Sequence, residues 1–283
     1  MDMNMRQSED NKFIPMTSVS SGMIKQVCPD VYYYTNQIVN FALVGTADHW
    51  VLVDAGMPKS SQEIMDVAKG VFGTLARPAA IVLTHGHFDH VGGLVGLLEA
   101  WHVPVYAHPL EFPFLTGQQA YPEPDTTVEG GLNAKISSYF PHEPIDISQA
   151  RLLPLPADGT VPAMPGWHWV FTPGHSPGHV SLFREADRVL ISGDAVITVK
   201  QDSLYKVLVQ KEEVQGPPRY LTTDWNAAYE SVKKLHALQP QIIVPGHGQV
   251  MHGAALEEGL HQLVTNFATI AVPEYGRFVK GKD

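Results

Sequence analysis

Short apolar runs separated by turn residues recur along the first half of the chain and predict β-strands. The pattern places strands at residues 31–35, 38–44 and 50–53, with Gly45 in the turn before the third strand. The run at 79–83 is apolar throughout and contains β-branched residues, which is typical of a strand buried on both faces. The same reasoning predicts further strands at residues 103–107, 167–171, 180–183, 189–192 and 241–244.

Apolar positions spaced by three and four residues predict helices between these strands. Such spacing occurs at residues 60–71, 91–101 and 254–271. A further helix is predicted to begin directly after Asp224, which would cap it. Strand–loop–helix units therefore follow one another in two roughly similar halves. The predicted fold class is α/β, with sheets covered by helices.

Other stretches lack this regularity and define the predicted domain organisation. Residues 1–22 are expected to form a loosely ordered leader, and residues 23–283 a single domain. Within that domain, the proline-rich segment at about 111–165 is interpreted as an inserted lid or pocket wall, with a helix expected around 132–139. A second irregular loop is expected at 198–223.

Composition and charge exclude several classes of protein. The chain has 283 residues, of which 44% are hydrophobic, and a formal net charge of -10, which disfavours nucleic acid as a partner. No apolar run has the length that a transmembrane helix needs, so no membrane association is expected. Cys28 is the only cysteine, and residues 1–12 do not have the pattern of a secretory signal. We therefore expect a cytoplasmic protein that acts on a small molecule, with no indication of its oligomeric state.

One loop carries an unusual concentration of metal-binding side chains. The stretch IVLTHGHFDHVGG places four of them directly after the buried strand at 79–83, and burying them without partners would cost roughly 2–7 kcal/mol for each polar group. Four other segments place a histidine or aspartate next to a glycine or one residue away from it: TPGHSPGH, SGDAV, PGHGQ and VDAG. The candidate metal-binding residues in these motifs are His85, His87, Asp89, His90, His175, His179, Asp194, His247 and Asp54. A set of this size exceeds the four ligands of a closed structural zinc site, and two ions sharing a carboxylate is the economical explanation.

The motifs THGHFDH, TPGHSPGH, SGDA and PGHG, in this order, resemble those of the metallo-β-lactamase superfamily. The resemblance extends from Val31 to the final helix, and it implies a four-layer αβ/βα sandwich close to the glyoxalase II and lactonase branches. It also implies that one ion is bound by His85, His87 and His175, a second by Asp89, His90 and His247, and that Asp194 bridges them. Zinc is the expected metal, with iron or manganese as alternatives.

The resemblance implies a binuclear hydrolase whose metal-bridging hydroxide attacks an activated carbonyl in a lactone, thioester or ester. Asp89 is the candidate catalytic residue, because it could orient the hydroxide or pass a proton to the leaving group. Six aromatic residues of the two irregular loops suggest a largely apolar substrate, although packing within a lid explains each of them as well. They are Phe112, Phe114, Tyr121, Tyr139, Tyr205 and Tyr220.

Other members of the superfamily provide the alternative functions. Persulfide dioxygenases bind a single iron through the matching residues and carry the same HxHxDH string, so such a redox activity is the main alternative. A true β-lactamase is less favoured, because those enzymes carry Cys or Ser where this chain has Asp194. Glyoxalase II enzymes extend well beyond the last ligand, whereas only residues 248–283 follow His247. Lactonases place a substrate-facing tyrosine where this chain has Ile197, and Tyr205 is only a candidate to replace it.

The remaining histidines and Asp54 have expected roles outside the ligand set. The resemblance gives the ligand role to His175, so His179 is predicted to support a ligand rather than bind metal, and Asp54 is predicted to orient a ligand or form a turn. His108 is the candidate for lining the pocket. The others are expected to be surface or packing residues: His49, His102, His142, His168, His236, His252 and His261.

Overall fold

The chain divides into two compact units, each with its own sheet and hydrophobic cluster. The structure is a computed structural model and describes residues 5–8, 12, 14, 16–128, 137, 140–199 and 212–279. The first unit lies within residues 1–121 and 141–167, and the second within residues 122–140 and 168–283.

A seven-stranded sheet forms the framework of the first unit, and its strands are neighbours in sequence order. The first four pair antiparallel, whereas the fourth to the seventh pair in parallel. The strands are β1 (Ile24–Cys28), β2 (Val31–Asn36), β3 (Val39–Thr46), β4 (His49–Val53), β5 (Ala80–Val82), β6 (Val105–Ala107) and β7 (Leu152–Pro154).

Helices cover this sheet through a shared apolar cluster. They are α1 (Ser61–Phe72), α2 (Phe88–Val91), α3 (Leu94–Trp101) and α4 (Phe112–Leu115), with a 3-10 turn at Pro109–Glu111. Ile64 of α1 and Leu98 of α3 belong to the same buried cluster as Leu52 and Ile81 of the sheet. Because β4 and β5 are parallel, their carboxyl ends lie at one edge, where Asp54 and the histidine motif follow them.

The second unit contains a five-stranded sheet with the order β14-β13-β10-β9-β8, and a separate β11–β12 pair. Its strands are β8 (Trp167–Phe171), β9 (Val180–Arg184), β10 (Val189–Gly193), β11 (Ile197–Val199), β12 (Glu212–Gln215), β13 (Ile242–Pro245) and β14 (Met251–His252). Since β10 and β13 are parallel, Asp194 and His247 follow strands that end at the same edge of the sheet.

Three helices pack on this second sheet. They are α5 (Trp225–Ala237), α6 (Gly253–Thr265) and α7 (Phe267–Ile270). Leu235 of α5 and Leu260 of α6 share a buried cluster with Leu190 and Ile243 of the sheet. Among the described residues, no helix combines the length and the apolar character that crossing a bilayer requires.

Several predicted elements agree closely with the structure. The strand at 167–171 has the predicted bounds, and the other buried strands differ by one or two residues at their ends. The helix after Asp224 begins as predicted, and the Asp224 carboxylate accepts a hydrogen bond from the backbone amide of Ala227 at 2.9 Å. A side-chain acceptor at this position satisfies an amide that has no partner within the helix.

Other elements differ, for local reasons. The predicted helix at 91–101 is two helices separated by Gly92 and Gly93, so that Asp89 and His90 lie on the first of them. The predicted helix at 254–271 is interrupted at Asn266, which has a non-helical φ of -118°. The edge strand β1 was not predicted, because its mostly exposed residues do not alternate in polarity.

The segment at 111–165, predicted to be irregular, contains α4 and β7. β7 ends in Pro154 and pairs in parallel with β6 at the edge of the sheet, where a proline is tolerated. The helix expected around 132–139 lies outside the described residues, apart from residue 137. Within the predicted leader, Arg6 and Asp146 exchange backbone hydrogen bonds and Met16 is buried. The leader, the single domain and the lid stay predictions.

Candidate functional site

The four candidate ligands of the histidine motif are buried in the first unit. His85 and His87 precede α2, and Asp89 and His90 lie on it, each at most 4% exposed. Ligand atoms of His85 lie within 4.8 Å of those of His87 and of His90. Asp89 Oδ1 lies 4.0 Å from His90 Nε2. The loop therefore concentrates three imidazoles and one carboxylate in a region shielded from water.

Asp54 orients His90 from the end of the neighbouring strand. Its carboxylate oxygen Oδ2 accepts a hydrogen bond from His90 Nδ1 at 2.9 Å, and its other oxygen accepts one from the Thr84 amide at 2.8 Å. A carboxylate at this position holds the imidazole proton on Nδ1, and Nε2 then carries the lone pair. Asp54 has a φ of 64°, a conformation that aspartate tolerates better than most residues.

Thr84 extends this control to His85. The Thr84 hydroxyl donates its proton to Asp54 Oδ2 at 2.8 Å, so the Thr84 hydroxyl oxygen is available to accept from His85 Nδ1 at 3.0 Å. His85 is therefore also held with its proton on Nδ1 and its lone pair on Nε2. One carboxylate thus fixes the tautomer of two imidazoles, directly for His90 and through a threonine for His85. The sequence predicted the supporting role of Asp54 but not that of Thr84.

A second buried carboxylate beneath the loop was missed by the sequence analysis. Glu111 is fully buried, and its Oε2 accepts hydrogen bonds from the Gly86 amide at 2.9 Å and from the Tyr121 hydroxyl. The Tyr121 oxygen also accepts from the Gly86 amide, at 3.0 Å. Burial and the Glu111 carboxylate raise the pKa of Tyr121 well above its ordinary value. Gly86 is the residue between His85 and His87.

In the second unit, His175 lies in the loop between β8 and β9. Gly174 begins the turn with a φ of 131°, and a Cβ there would lie 2.4 Å from the Ala228 backbone nitrogen. Only glycine fits this conformation and this space. The Thr222 hydroxyl donates to the Pro218 carbonyl at 2.8 Å and accepts from His175 Nδ1 at 3.2 Å. His175 consequently has its lone pair on Nε2, like His85.

Asp194 lies between two imidazoles of the same unit. Its Oδ2 is 3.3 Å from His175 Nε2 and 3.3 Å from His247 Nε2, and all three side chains are at most 2% exposed. The backbone carbonyl of His247 accepts from the Thr198 amide at 3.0 Å, which holds the loop after β13. A single carboxylate oxygen thus faces two histidines that the resemblance assigns to different metal ions.

His179 supports Asp194 through the backbone. Its Nε2 accepts a hydrogen bond from the Asp194 amide at 2.9 Å, and its Nδ1 is 2.9 Å from the Thr172 hydroxyl. Because Nε2 is an acceptor here, Nδ1 carries the proton and donates to Thr172. Both ring nitrogens are therefore hydrogen-bonded within the protein, and the role of His179 as support for a metal ligand stays a prediction.

The other histidines differ from the candidate ligands in burial. None of the remaining eight is fully buried, and His49, His102, His168, His252 and His261 are exposed. His108 Nδ1 accepts from the Leu110 amide at 3.3 Å and so caps the 3-10 turn, while burial lowers the pKa of its imidazole. Its predicted place in a substrate pocket stays a prediction.

The aromatic residues that can be described pack against each other. Phe114 and Tyr121 stack with their ring centroids 4.0 Å apart, and Phe140 and Tyr220 lie 5.7 Å apart. Phe114, Tyr121 and Tyr220 are each at most 7% exposed, which favours packing over a substrate-facing role for them. Tyr139 and Tyr205 lie outside the described residues.

Comparison with known proteins identifies the family. Residues 34–247 match the model of the family described as the metallo-beta-lactamase superfamily. The chain is 45% identical over 261 residues to the probable metallo-hydrolase YflN of Bacillus subtilis (strain 168), covering 91% of this chain and 98% of YflN. It is 29% identical over 202 residues to the probable metallo-hydrolase YybB of the same organism, covering 71% of this chain and 77% of YybB.

Solved structures agree with this assignment. A crystal structure of TTHA1623 in a di-iron-bound form has 27% sequence identity and a TM-score of 0.52, covering 81% of this chain and 94% of that one. The BLEG-1 B3 metallo-beta-lactamase has 25% identity and a TM-score of 0.56, covering 87% of this chain and 100% of that one. The predicted α/β fold class of the metallo-β-lactamase type is confirmed. The chain therefore belongs to the metallo-beta-lactamase superfamily and is a metal-dependent hydrolase, as its sequence predicts.

Proposed function

We propose that the seven candidate residues bind two divalent metal ions at one catalytic centre. His85, His87 and His175 would bind the first ion and Asp89, His90 and His247 the second, with Asp194 as the shared ligand. The donors fit such ions, because neutral imidazoles and carboxylates suit zinc, iron and manganese. The observation that carries the proposal is the hydrogen bond at Nδ1 of each of His85, His90 and His175, from which it follows that Nδ1 carries the proton and Nε2 the lone pair.

Asp194 supports the binuclear form of the proposal. One of its oxygens lies 3.3 Å from the Nε2 atoms of both His175 and His247, which suits a carboxylate that serves two ions. The hydrogen bond from its amide to His179 fixes the backbone at this position. We propose zinc as the metal, with iron and manganese as alternatives; the structural relative TTHA1623 has been crystallised in a di-iron-bound form.

We propose that the reaction is hydrolysis of an activated carbonyl in a small, largely apolar lactone, thioester or ester. When bound, divalent ions lower the pKa of water towards neutrality and polarise a carbonyl group. Asp89 is the proposed catalytic residue, because its buried carboxylate lies beside His90 and is able to hold a proton at Oδ1 or Oδ2 for the leaving group. The cytoplasmic location and the exclusion of nucleic acid stay predictions.

Metal content per chain and a substrate panel test the proposal together. We expect two zinc, iron or manganese ions per chain by elemental analysis, and hydrolysis of at least one of the lactones, thioesters and esters. His247→Ala should lose one of the two ions, whereas the control variant His252→Ala, at an exposed position, should keep both. A single iron with oxygen uptake in the presence of a persulfide would favour the dioxygenase alternative. A wild-type chain that binds no divalent ion would overturn the proposal.

A further inference from the structure

Glu111 and Tyr121 contact the histidine loop at one point, the amide of Gly86. That amide donates to Glu111 Oε2 at 2.9 Å and to the Tyr121 hydroxyl at 3.0 Å, and the hydroxyl in turn donates to the carboxylate. The carboxylate is fully buried and Tyr121 is 7% exposed. Two acceptors thus converge on one backbone amide inside the protein. The backbone between His85 and His87 is therefore held by a buried acidic group.

The same contact explains why the residue between the two histidines is glycine. A Cβ at position 86 would lie 2.7 Å from the Tyr121 hydroxyl oxygen, 3.2 Å from Leu115 Cδ2 and 3.4 Å from Glu111 Oε2. Gly86 does not have a positive φ, so its conformation is open to any residue. The requirement for glycine arises mainly from the space that the Tyr121 hydroxyl occupies, with Leu115 as the second close neighbour.

Tyr121 also contacts a candidate ligand directly. The centroid of its ring lies 4.3 Å from that of His87, with an interplanar angle of 54°. On another side the ring stacks on Phe114, with an interplanar angle of 10°. The tyrosine thus holds the His87 imidazole through its ring and the preceding amide through its hydroxyl.

We propose that Glu111 and Tyr121 form a positioning pair, which fixes His85 and His87 in the arrangement required for metal binding. The proposal rests on the proposed function, in which both histidines are metal ligands. The pair acts on the backbone between the ligands, whereas Asp54 acts on the ring nitrogens. Loss of a group that orients metal ligands weakens metal binding roughly 10- to 100-fold, and this is the effect expected for Tyr121→Phe and Glu111→Gln.

A matched control is available in the first unit. The Tyr34 hydroxyl donates to Glu63 at 2.6 Å, so Tyr34→Phe also removes a tyrosine–glutamate hydrogen bond. Zinc affinity would be measured by competition with a chromophoric chelator, and the visible spectrum of the cobalt-substituted protein would report ligand geometry. We expect weaker zinc binding and an altered cobalt spectrum for Tyr121→Phe, and neither change for Tyr34→Phe. Urea unfolding of the metal-free proteins would measure the structural effect of each variant separately.

A double-mutant cycle of Gly86→Ala and Tyr121→Phe tests the contact between these two residues. Gly86→Ala should weaken zinc binding strongly in the wild-type background, because its Cβ would meet the Tyr121 oxygen at 2.7 Å. In the Tyr121→Phe background that oxygen is absent, and the nearest remaining atom is Leu115 Cδ2 at 3.2 Å. The additional loss caused by Gly86→Ala should therefore be smaller in that background. Equal losses in both backgrounds would contradict the proposed contact.

The outcomes separate this proposal from the proposed function. A wild-type chain that binds no metal would overturn the proposed function. A wild-type chain that binds zinc, with Tyr121→Phe and Glu111→Gln binding it equally well, would overturn the positioning pair alone. Weaker binding that matches only the increased fraction of unfolded protein would show a purely structural role and would also overturn the pair.

Discussion

Asp54→Asn is the substitution that best tests how the protein controls its histidines. The carboxylate accepts three hydrogen bonds, from the Thr84 amide, the Thr84 hydroxyl and His90 Nδ1, at 2.8, 2.8 and 2.9 Å. Asparagine has nearly the same shape, so the packing around this buried position is retained. The change replaces one acceptor oxygen with an NH₂ group, which only donates.

In either orientation of the new amide side chain, its NH₂ group faces another hydrogen-bond donor. If the NH₂ group faces His90, the imidazole has to accept at Nδ1, and its proton moves to Nε2, the nitrogen proposed to bind metal. The Thr84 hydroxyl would also lose its acceptor and would no longer be fixed as the partner of His85. If the NH₂ group faces the Thr84 amide instead, a buried backbone donor loses its acceptor.

The expected magnitudes follow from these bonds. A hydrogen bond to a charged group contributes roughly 1.5–3 kcal/mol to stability, and at least one of the three is lost, so we expect the metal-free protein to be destabilised by about 2–3 kcal/mol. Metal affinity should fall roughly 10- to 100-fold, which corresponds to about 1.4–2.7 kcal/mol. The second effect is the specific one, since many substitutions of buried residues would produce the first.

Asp125→Asn provides the matched control in the second unit. Asp125 is 1% exposed and accepts from the Thr127 amide, the Thr127 hydroxyl and the Arg277 amide, but from no histidine. Urea unfolding of the metal-free variants would measure stability, and chelator competition would measure zinc affinity. Both variants should be less stable than the wild type, and only Asp54→Asn should bind zinc more weakly. Unchanged zinc affinity in Asp54→Asn would refute the argument from histidine protonation.

Three further predictions test other parts of the structure. Thr222→Val removes the acceptor for His175 Nδ1 and should weaken zinc binding roughly tenfold, whereas Thr222→Ser keeps the hydroxyl and should not. Equal zinc affinities of the two variants in chelator competition would contradict this. Asp224→Ala removes the cap of α5 and should cost about 1 kcal/mol in urea unfolding with zinc affinity unchanged. Burial and the Glu63 carboxylate raise the pKa of Tyr34 above its ordinary value of 10.0. Above pH 10 the unfolded state therefore loses a proton that the folded state retains, and the free energy of unfolding should fall as the pH rises further. This fall should be smaller in Tyr34→Phe than in Tyr275→Phe, which alters an exposed tyrosine.

Elements that are buried and regular could be predicted from the sequence. The strand at 79–83 is apolar because both of its faces are covered, and the helix after Asp224 combines a cap with a clear apolar face. The elements that were missed lie at edges or are very short. β1 is a largely exposed edge strand, and β7 has three residues of which one is proline. Their backbone pairing depends on neighbouring strands, which leaves little trace in their own residues.

The candidate ligands were evident because chemistry places them in short motifs after strands. Asp54 was found for the same reason. Thr222 lies 47 residues from His175, and Glu111 lies 25 residues from Gly86, so no local pattern connects these partners. Their side chains are also common types that occur in many loops. The one trace of the Glu111–Tyr121 pair in the motif is Gly86, and the sequence alone does not show what excludes a side chain at that position.

The structure gives a steric reason for the glycine at position 86. Its φ is not positive, and the atom closest to a Cβ there would be the Tyr121 hydroxyl oxygen, at 2.7 Å, which also accepts from the Gly86 amide. The glycine, the buried carboxylate and the tyrosine form one arrangement, in which the absence of a side chain lets two acceptors reach the backbone between two candidate metal ligands. On the proposed function, the motif THGHFDH thus provides four metal ligands and, at Gly86, the space for the pair proposed to position two of them.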